Sequence, residues 1–99
     1  MSRFPVVFDT TAIDELLESK PWYANHLESL GEDFEREVEQ TLDKIVQYPK
    51  LYPVAAKTIR KAVLKRFPFV ILYAFQQDKV IVLHIFHSHR NPDTWKKPT

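Results

Sequence analysis

Residues 69–87 read FVILYAFQQDKVIVLHIFH, and this stretch decides the fold. Two runs, Phe69–Phe75 and Val80–His87, are dense in β-branched and aromatic residues, and the polar segment Gln76-Gln77-Asp78-Lys79 joins them. Runs of that kind on either side of a short polar turn pair as an antiparallel hairpin. Both runs are apolar at successive positions, so both faces of the sheet they build need cover. Upstream, Ile59–Phe67 predicts a further strand, and Pro68 marks a break or bulge because proline cannot donate to a ladder. The three strands form an antiparallel meander.

Working back toward the N-terminus, residues 49–56 (PKLYPVAA) form a connector with two prolines and two buriable side chains, Leu51 and Tyr52. Before it lies the best helix in the chain. Phe34, Val38, Leu42, Ile45 and Val46 share one face, and Glu35, Arg36, Glu39, Gln40 and Asp43 the other. Glu32 and Asp33 open this helix and Pro49 closes it. Gly31, the only glycine, sits where the residue after a preceding helix would go. That preceding helix starts from Asp9, Thr10 and Thr11, which carry N-cap chemistry, with Asp14 and Glu15 in its first turn and Ile13, Leu16 and Leu17 as its apolar stripe. Pro21 interrupts it, leaving a short helical piece around Trp22, Tyr23 and Leu27, both aromatics packing inward. A helical hairpin therefore occupies residues 11 to 48. Arg3–Phe8 reads as an edge strand beside Pro5, and it joins the edge of the meander to complete a four-stranded sheet.

The order strand, helix, helix, three strands (β-α-α-β-β-β) makes this an α+β chain. Its 99 residues suit one core, hence a single domain spanning 1–99. One glycine leaves no phosphate-cradling loop of the Walker or Rossmann kind. Zero cysteines exclude disulfides, thiolate metal sites and a cysteine nucleophile, and fit a reducing compartment. The start MSRFPVVFD is no signal peptide, and no apolar run is long enough to span a membrane. A soluble cytoplasmic protein with no membrane partner is the expectation.

The formal net charge of +1 hides a division. Residues 1–50 carry 5 Lys/Arg against 11 Asp/Glu, and residues 51–99 carry 9 against 2. Segregation of this kind suggests a basic working surface for an anionic partner, nucleic acid or acidic protein. Lys57, Arg60, Lys61, Lys65 and Arg66 place five bases in ten residues. On a strand, Arg60 and Arg66 share one face, and Lys61 and Lys65 point the other way with Lys57. Such groups bind phosphates or steady charge on a phosphorane, or else form a solvated edge that blocks strand-to-strand pairing. His84, His87 and His89 form H-x-x-H-x-H, but His84 faces away from the other two, so no metal is expected. His87 and His89 have the pKa range of a general acid or base, against a plain structural role for His87. Arg90, before the turn signal Asn91-Pro92, is a candidate phosphate contact or a partner for Asp93. Trp95 is a candidate base-stacking residue or a lid on the core.

Four stretches carry a resemblance. They are Trp22-Tyr23, LGEDFEREVEQTLDKIVQYP (residues 30–49), RKAVLKRFPFVILY (residues 60–73) and VIVLHIFHSHRNPDTW (residues 80–95). The elements Arg66-Phe67-Pro68-Phe69, Ile71 and Tyr73, followed by His87, Arg90, Pro92 and Trp95, resemble the RelE/ParE superfamily of bacterial toxins, and its ParE-like branch most closely. The resemblance covers nearly the whole chain. It implies the toxin half of a type II toxin–antitoxin module, of the kind associated with plasmid stabilization and growth inhibition, masked by a cognate antitoxin. Some members are ribosome-dependent mRNA interferases, and others poison DNA gyrase without known nuclease activity. The ribonuclease branch carries a strand arginine whose place here is Val70, and its C-terminal tyrosine or histidine–tyrosine pair is answered here by Ser88, His89 and Trp95.

These departures favour action on gyrase or on an undefined target. The alternatives are a ribosome-dependent endoribonuclease, with Arg66, His87, His89 and Arg90 as candidate catalytic residues, and an inactive member that only binds its antitoxin. Whether the protein is an enzyme stays open on the sequence. For docking a target, the candidates are Lys57, Arg60, Lys61, Lys65, Arg66, Arg90 and Trp95. No cofactor is implied. The expected partners are a small antitoxin with a flexible acidic or amphipathic tail, and either gyrase or the ribosome with its mRNA.

Overall fold

The computed structural model of the chain describes residues 3–26 and 28–88. Strand β1 (Val6–Phe8) leads into helix α1 (Thr10–His26), followed by helix α2 (Glu28–Gln47). Strands β2 (Val54–Ala56), β3 (Ile59–Val63), β4 (Phe69–Gln76) and β5 (Lys79–His87) follow. They form one sheet in the order β1-β5-β4-β3-β2. Only the β1–β5 pair is parallel, with Val6 opposite Val80 and Phe8 opposite Val82. The layout is the α+β arrangement expected, with the first strand on the edge of the meander.

The sheet has five strands rather than four because the connector contributes β2. This three-residue strand follows Pro53 and pairs with β3 through an irregular register, so its pattern is too short to stand out in sequence. Strand β3 ends at Val63 rather than Phe67, and the chain from Leu64 to Pro68 crosses to β4 as a loop. The turn between β4 and β5 is a two-residue hairpin. Gln77 and Asp78 take φ of 53 and 59°, while Gln76 pairs with Lys79. Positive φ at both central positions matches the right-handed twist of the flanking strands.

The helices also differ from expectation. Helix α1 continues through Pro21 to His26, held on either side of the proline by the buried Ala12 and Tyr23. Tertiary packing of that kind can outweigh one lost helical hydrogen bond. Gly31 lies inside α2, not after a helix end. It is buried, and a Cβ placed there would stand 2.9 Å from the Cβ of Ala24. The glycine therefore allows the two helices to approach closely at Ala24. It does not need a left-handed backbone.

Alternation along β4 divides the core. Phe69, Ile71 and Tyr73 face the helices and pack with Val80, Val82 and Ile85 of β5 and with Phe34, Val38 and Ile45 of α2. Val70 and Leu72 face the other way and cluster with Phe86 and Ile59. Both faces of the central strands are thus buried. Tyr23, Phe34, Phe67 and Phe69 form a ring cluster with centroids 4.8–6.0 Å apart, a spacing at which edge-to-face and tilted pairs attract. Side-chain hydrogen bonds tie the connector down. The Tyr73 hydroxyl donates to the Pro49 carbonyl at 2.6 Å, and the Arg60 guanidinium donates to the Tyr52 carbonyl at 2.6 Å. Among the described residues no helix is long and apolar enough to cross a membrane.

Candidate functional site

The five bases of residues 57–66 do not form one uniform patch. Lys57 sits at the β2–β3 turn with φ of 53°. Arg60 belongs to β3 on the helix side, and its guanidinium serves the carbonyls of Lys50 and Tyr52, bracing the connector. Arg66 lies past the end of β3. Its backbone N–H donates to Glu37 Oε2 at 2.9 Å, and its guanidinium stands 3.6 Å from Asp33 of α2, with two thirds of the side chain still exposed. Lys57, Lys61 and Lys65 are exposed and make no ion pair among the described residues. The lysines are thus free to meet a partner, while Arg60 supports the fold and Arg66 does some of both.

The histidines separate as strand alternation requires. His87 is on the helix side, its ring 5.4 Å from Phe69 at the margin of the aromatic cluster. His84 is on the other side, with Nδ1 3.5 Å from Glu15 Oε2. Among the described residues no group of histidines and acids could hold a metal. His89, Arg90 and Trp95 lie outside the described residues.

Glu15 closes an exposed part of the sheet. β5 carries one extra residue between the positions opposite Leu72 and Tyr73, and β1 has already ended at Phe8. That leaves the β5 backbone beyond Val82 without a strand neighbour on the β1 side, and Glu15 Oε1 accepts the Ile85 N–H at 2.8 Å. Burial pushes the Glu15 carboxyl above its ordinary value of 4.5, and the Ile85 N–H and His84 offset this only in part. Glu37, 9% exposed, accepts the Arg66 N–H in the loop after β3. One glutamate from each helix therefore accepts a backbone N–H from the sheet half, Glu15 from strand β5 and Glu37 from the loop after β3, a role the sequence did not signal.

On the β3 side of the sheet a groove stays open. A groove of roughly 440 Å³ runs between α2 and the end of β3. Gln40, Thr41 and Lys44 form its helical wall, Leu51 and Tyr52 one end, and Val63, Lys65 and Arg66 the far wall. Leu51 and Val63 are more than half exposed, at 63% and 56%. Lys44, Leu51, Tyr52 and Val63 were not among the candidate residues, because a lysine on a polar helix face and an isolated leucine in a connector carry no signal until the fold brings them together.

A strand, a two-helix hairpin and a mostly antiparallel sheet agree with the comparisons. Residues 6–92 match the family model described as the ParE toxin of the type II toxin–antitoxin system, parDE. The chain belongs to the ParE toxin family. A solved structure, "Chromosomal ParDE TA system from P. aeruginosa", contains a chain with the same fold, at a TM-score of 0.75 and 13% identity, covering 86% of this chain and 96% of that one. No curated protein matches the sequence significantly. As a ParE-family chain, this is the toxin type of a type II toxin–antitoxin system. Val70, where ribonuclease relatives are expected to carry an arginine, is 3% exposed and packed with Leu72 and Phe86.

Proposed function

We propose that this ParE-family toxin arrests growth by binding DNA gyrase and trapping it on cleaved DNA, and that a cognate antitoxin relieves the arrest by covering the toxin. The observation that carries this reading is Val70. A buried valine in an apolar cluster supplies no charge to a phosphorane, so the described strands lack the cation a ribonuclease would use there. The histidines support the same reading. His84 lies 3.5 Å from a Glu15 carboxylate oxygen and the His87 ring packs edge-on against Phe69, so each has a structural contact of its own. A toxin that acts by docking needs a shaped surface, not a proton relay, and the groove beside β3 with the lysines around it provides one.

Expression in growing cells tests the proposal. The expected result is arrest with a DNA-damage response, intact mRNA by primer extension, and recovery when the product of the adjoining gene is co-expressed. Codon-specific mRNA cleavage in the arrested cells would instead make the protein a ribosome-dependent interferase.

A further inference from the structure

The free edge of β1 fits a second copy of this chain. β1 is the outermost strand on its side of the sheet, and its bonds across to β5 fix its orientation. The Val80 N–H donates to the Pro5 carbonyl and the Asp9 N–H to the Val82 carbonyl, both at 2.9 Å. In a parallel ladder, residues that bond the neighbouring strand alternate with residues whose backbone groups face away. Pro5, Val7 and Asp9 therefore face β5, and the N–H and C=O of Val6 and Phe8 face outward. Pro5 does not blunt this edge, because the donor it lacks would point at β5, not at solvent. Sheets commonly guard an edge with lysines, bulges or a covering side chain. The far edge is guarded in this way, since β2 pairs through an irregular register and leads into Lys57 at φ 53°. Beyond the end of β1, Glu15 takes the Ile85 N–H of β5. The β1 edge from residue 4 to residue 8 reads FPVVF, without a charge, and Val6 and Val7 are 38% and 48% exposed.

We propose that two copies of this toxin join edge to edge through β1, antiparallel, about a two-fold axis at Val6. The charges at the ends of the strand select this occupant and this register. Arg3 and Asp9 each lie three residues from Val6, on opposite sides of it, and both are exposed. A two-fold axis makes the same patch meet itself, so Arg3 of each copy comes opposite Asp9 of the other and unlike charges face each other twice. Arg3 also holds Asp43, with both side chains about half exposed, which leaves its guanidinium room for a second acid. At the axis Val6 meets Val6 of the copy, and each donates its N–H to the other's carbonyl. The Phe8 N–H meets the carbonyl of Phe4 of the copy, whose own N–H is already given to Val46. Centring the pair on Val7 instead would set Arg3 opposite Thr11 and lose the charge match. β5 and β4 separate β1 from β3 in the sheet order, so pairing leaves the groove beside β3 open and gives one particle two of them.

Sedimentation equilibrium of the purified full-length toxin, without antitoxin, tests the pairing. The apparent mass should rise from one chain to two with concentration, and amide exchange at Val6 and Phe8 should slow by about tenfold or more in the dimer. V6K sets two lysines against each other at the axis while the β5 ladder keeps its bonds, and the dimer should weaken by at least about tenfold. R3D, which sets two acids against each other at both ends, should weaken it as well, and takes the place of V6K if circular dichroism shows that variant unfolded. A single-chain mass at every concentration overturns the proposal. A dimer of wild-type strength in every folded variant, with Val6 and Phe8 exchanging as in the monomer, assigns self-association to another surface and overturns it too. Neither result bears on the gyrase reading, which is decided by trapped DNA cleavage.

Discussion

Two residues carry more of the fold than their types suggest. Gly31 stands out in sequence as the only glycine, followed by two acids, which is the pattern of one helix ending and another beginning. The structure uses it for close approach instead, since a Cβ there would meet Ala24 at 2.9 Å. No local signal separates the two uses, because the partner lies on the other helix. Gly31→Ala should therefore destabilise the fold by about 1–2 kcal/mol in urea titration, the clash exceeding the gain in helix propensity. Adding Ala24→Gly should recover part of that loss, and independent, additive costs would show that the two positions do not meet. Tyr73 was legible as part of a strand but not as an anchor. Its hydroxyl reaches the Pro49 carbonyl, and burial pushes its pKa up to about 12. A phenol raised in the folded state stabilises fully below its unfolded value near 10, and that contribution disappears as pH rises toward 12. Tyr73→Phe should cost about 1 kcal/mol at neutral pH. The difference between the two proteins should shrink above pH ~10, and a constant difference up to pH ~12 would contradict the assignment.

At the scale of elements, the hairpin of β4 and β5 and the amphipathic α2 were clear in sequence because their periodicities are strong. The failures came where short pieces depend on partners. β2 is three residues long, exists only by pairing with β3 and follows Pro53, and α1 runs through Pro21 because its neighbours hold it. The glutamate caps were hidden for the same reason. Glu15 reads as a first-turn acid on α1, yet it spans to Ile85 of β5, 70 positions away. Its raised carboxyl gives a test. A carboxyl raised in the folded state contributes stability that is complete below 4.5 and lost as pH rises through its folded value. Glu15→Gln keeps an acceptor for the Ile85 N–H and removes the desolvated charge, so at pH 7 it should be at least as stable as wild type, with the gain fading below pH ~4.5. Glu15→Ala leaves the N–H unpaired and should lose about 1–2 kcal/mol at pH 7. Equal loss in both variants by thermal melting would show that the charge, not the hydrogen bond, matters.

Across the whole molecule the fold class and the family were legible from the order of strong elements and from Arg66-Phe67-Pro68-Phe69 with Tyr73. The division of charge was visible too, but its meaning was not. The acidic helices pack beside the basic sheet half, so Asp33 draws in Arg66, and Arg60 turns to the carbonyls of residues 50 and 52. What remains for a partner is narrower than five bases, and consists of lysines around a groove that also has Leu51 and Val63 in its walls. Such a surface suits protein docking, and the buried Val70 argues the same way against phosphoryl chemistry at that strand. The most direct measurement is a cleavage assay with purified DNA gyrase, supercoiled plasmid and the toxin. Linear DNA should appear after protein denaturation, rising with toxin concentration and suppressed by the adjoining gene's product. Gyrase left fully active, with no trapped cleavage at toxin concentrations that arrest growth, would contradict it.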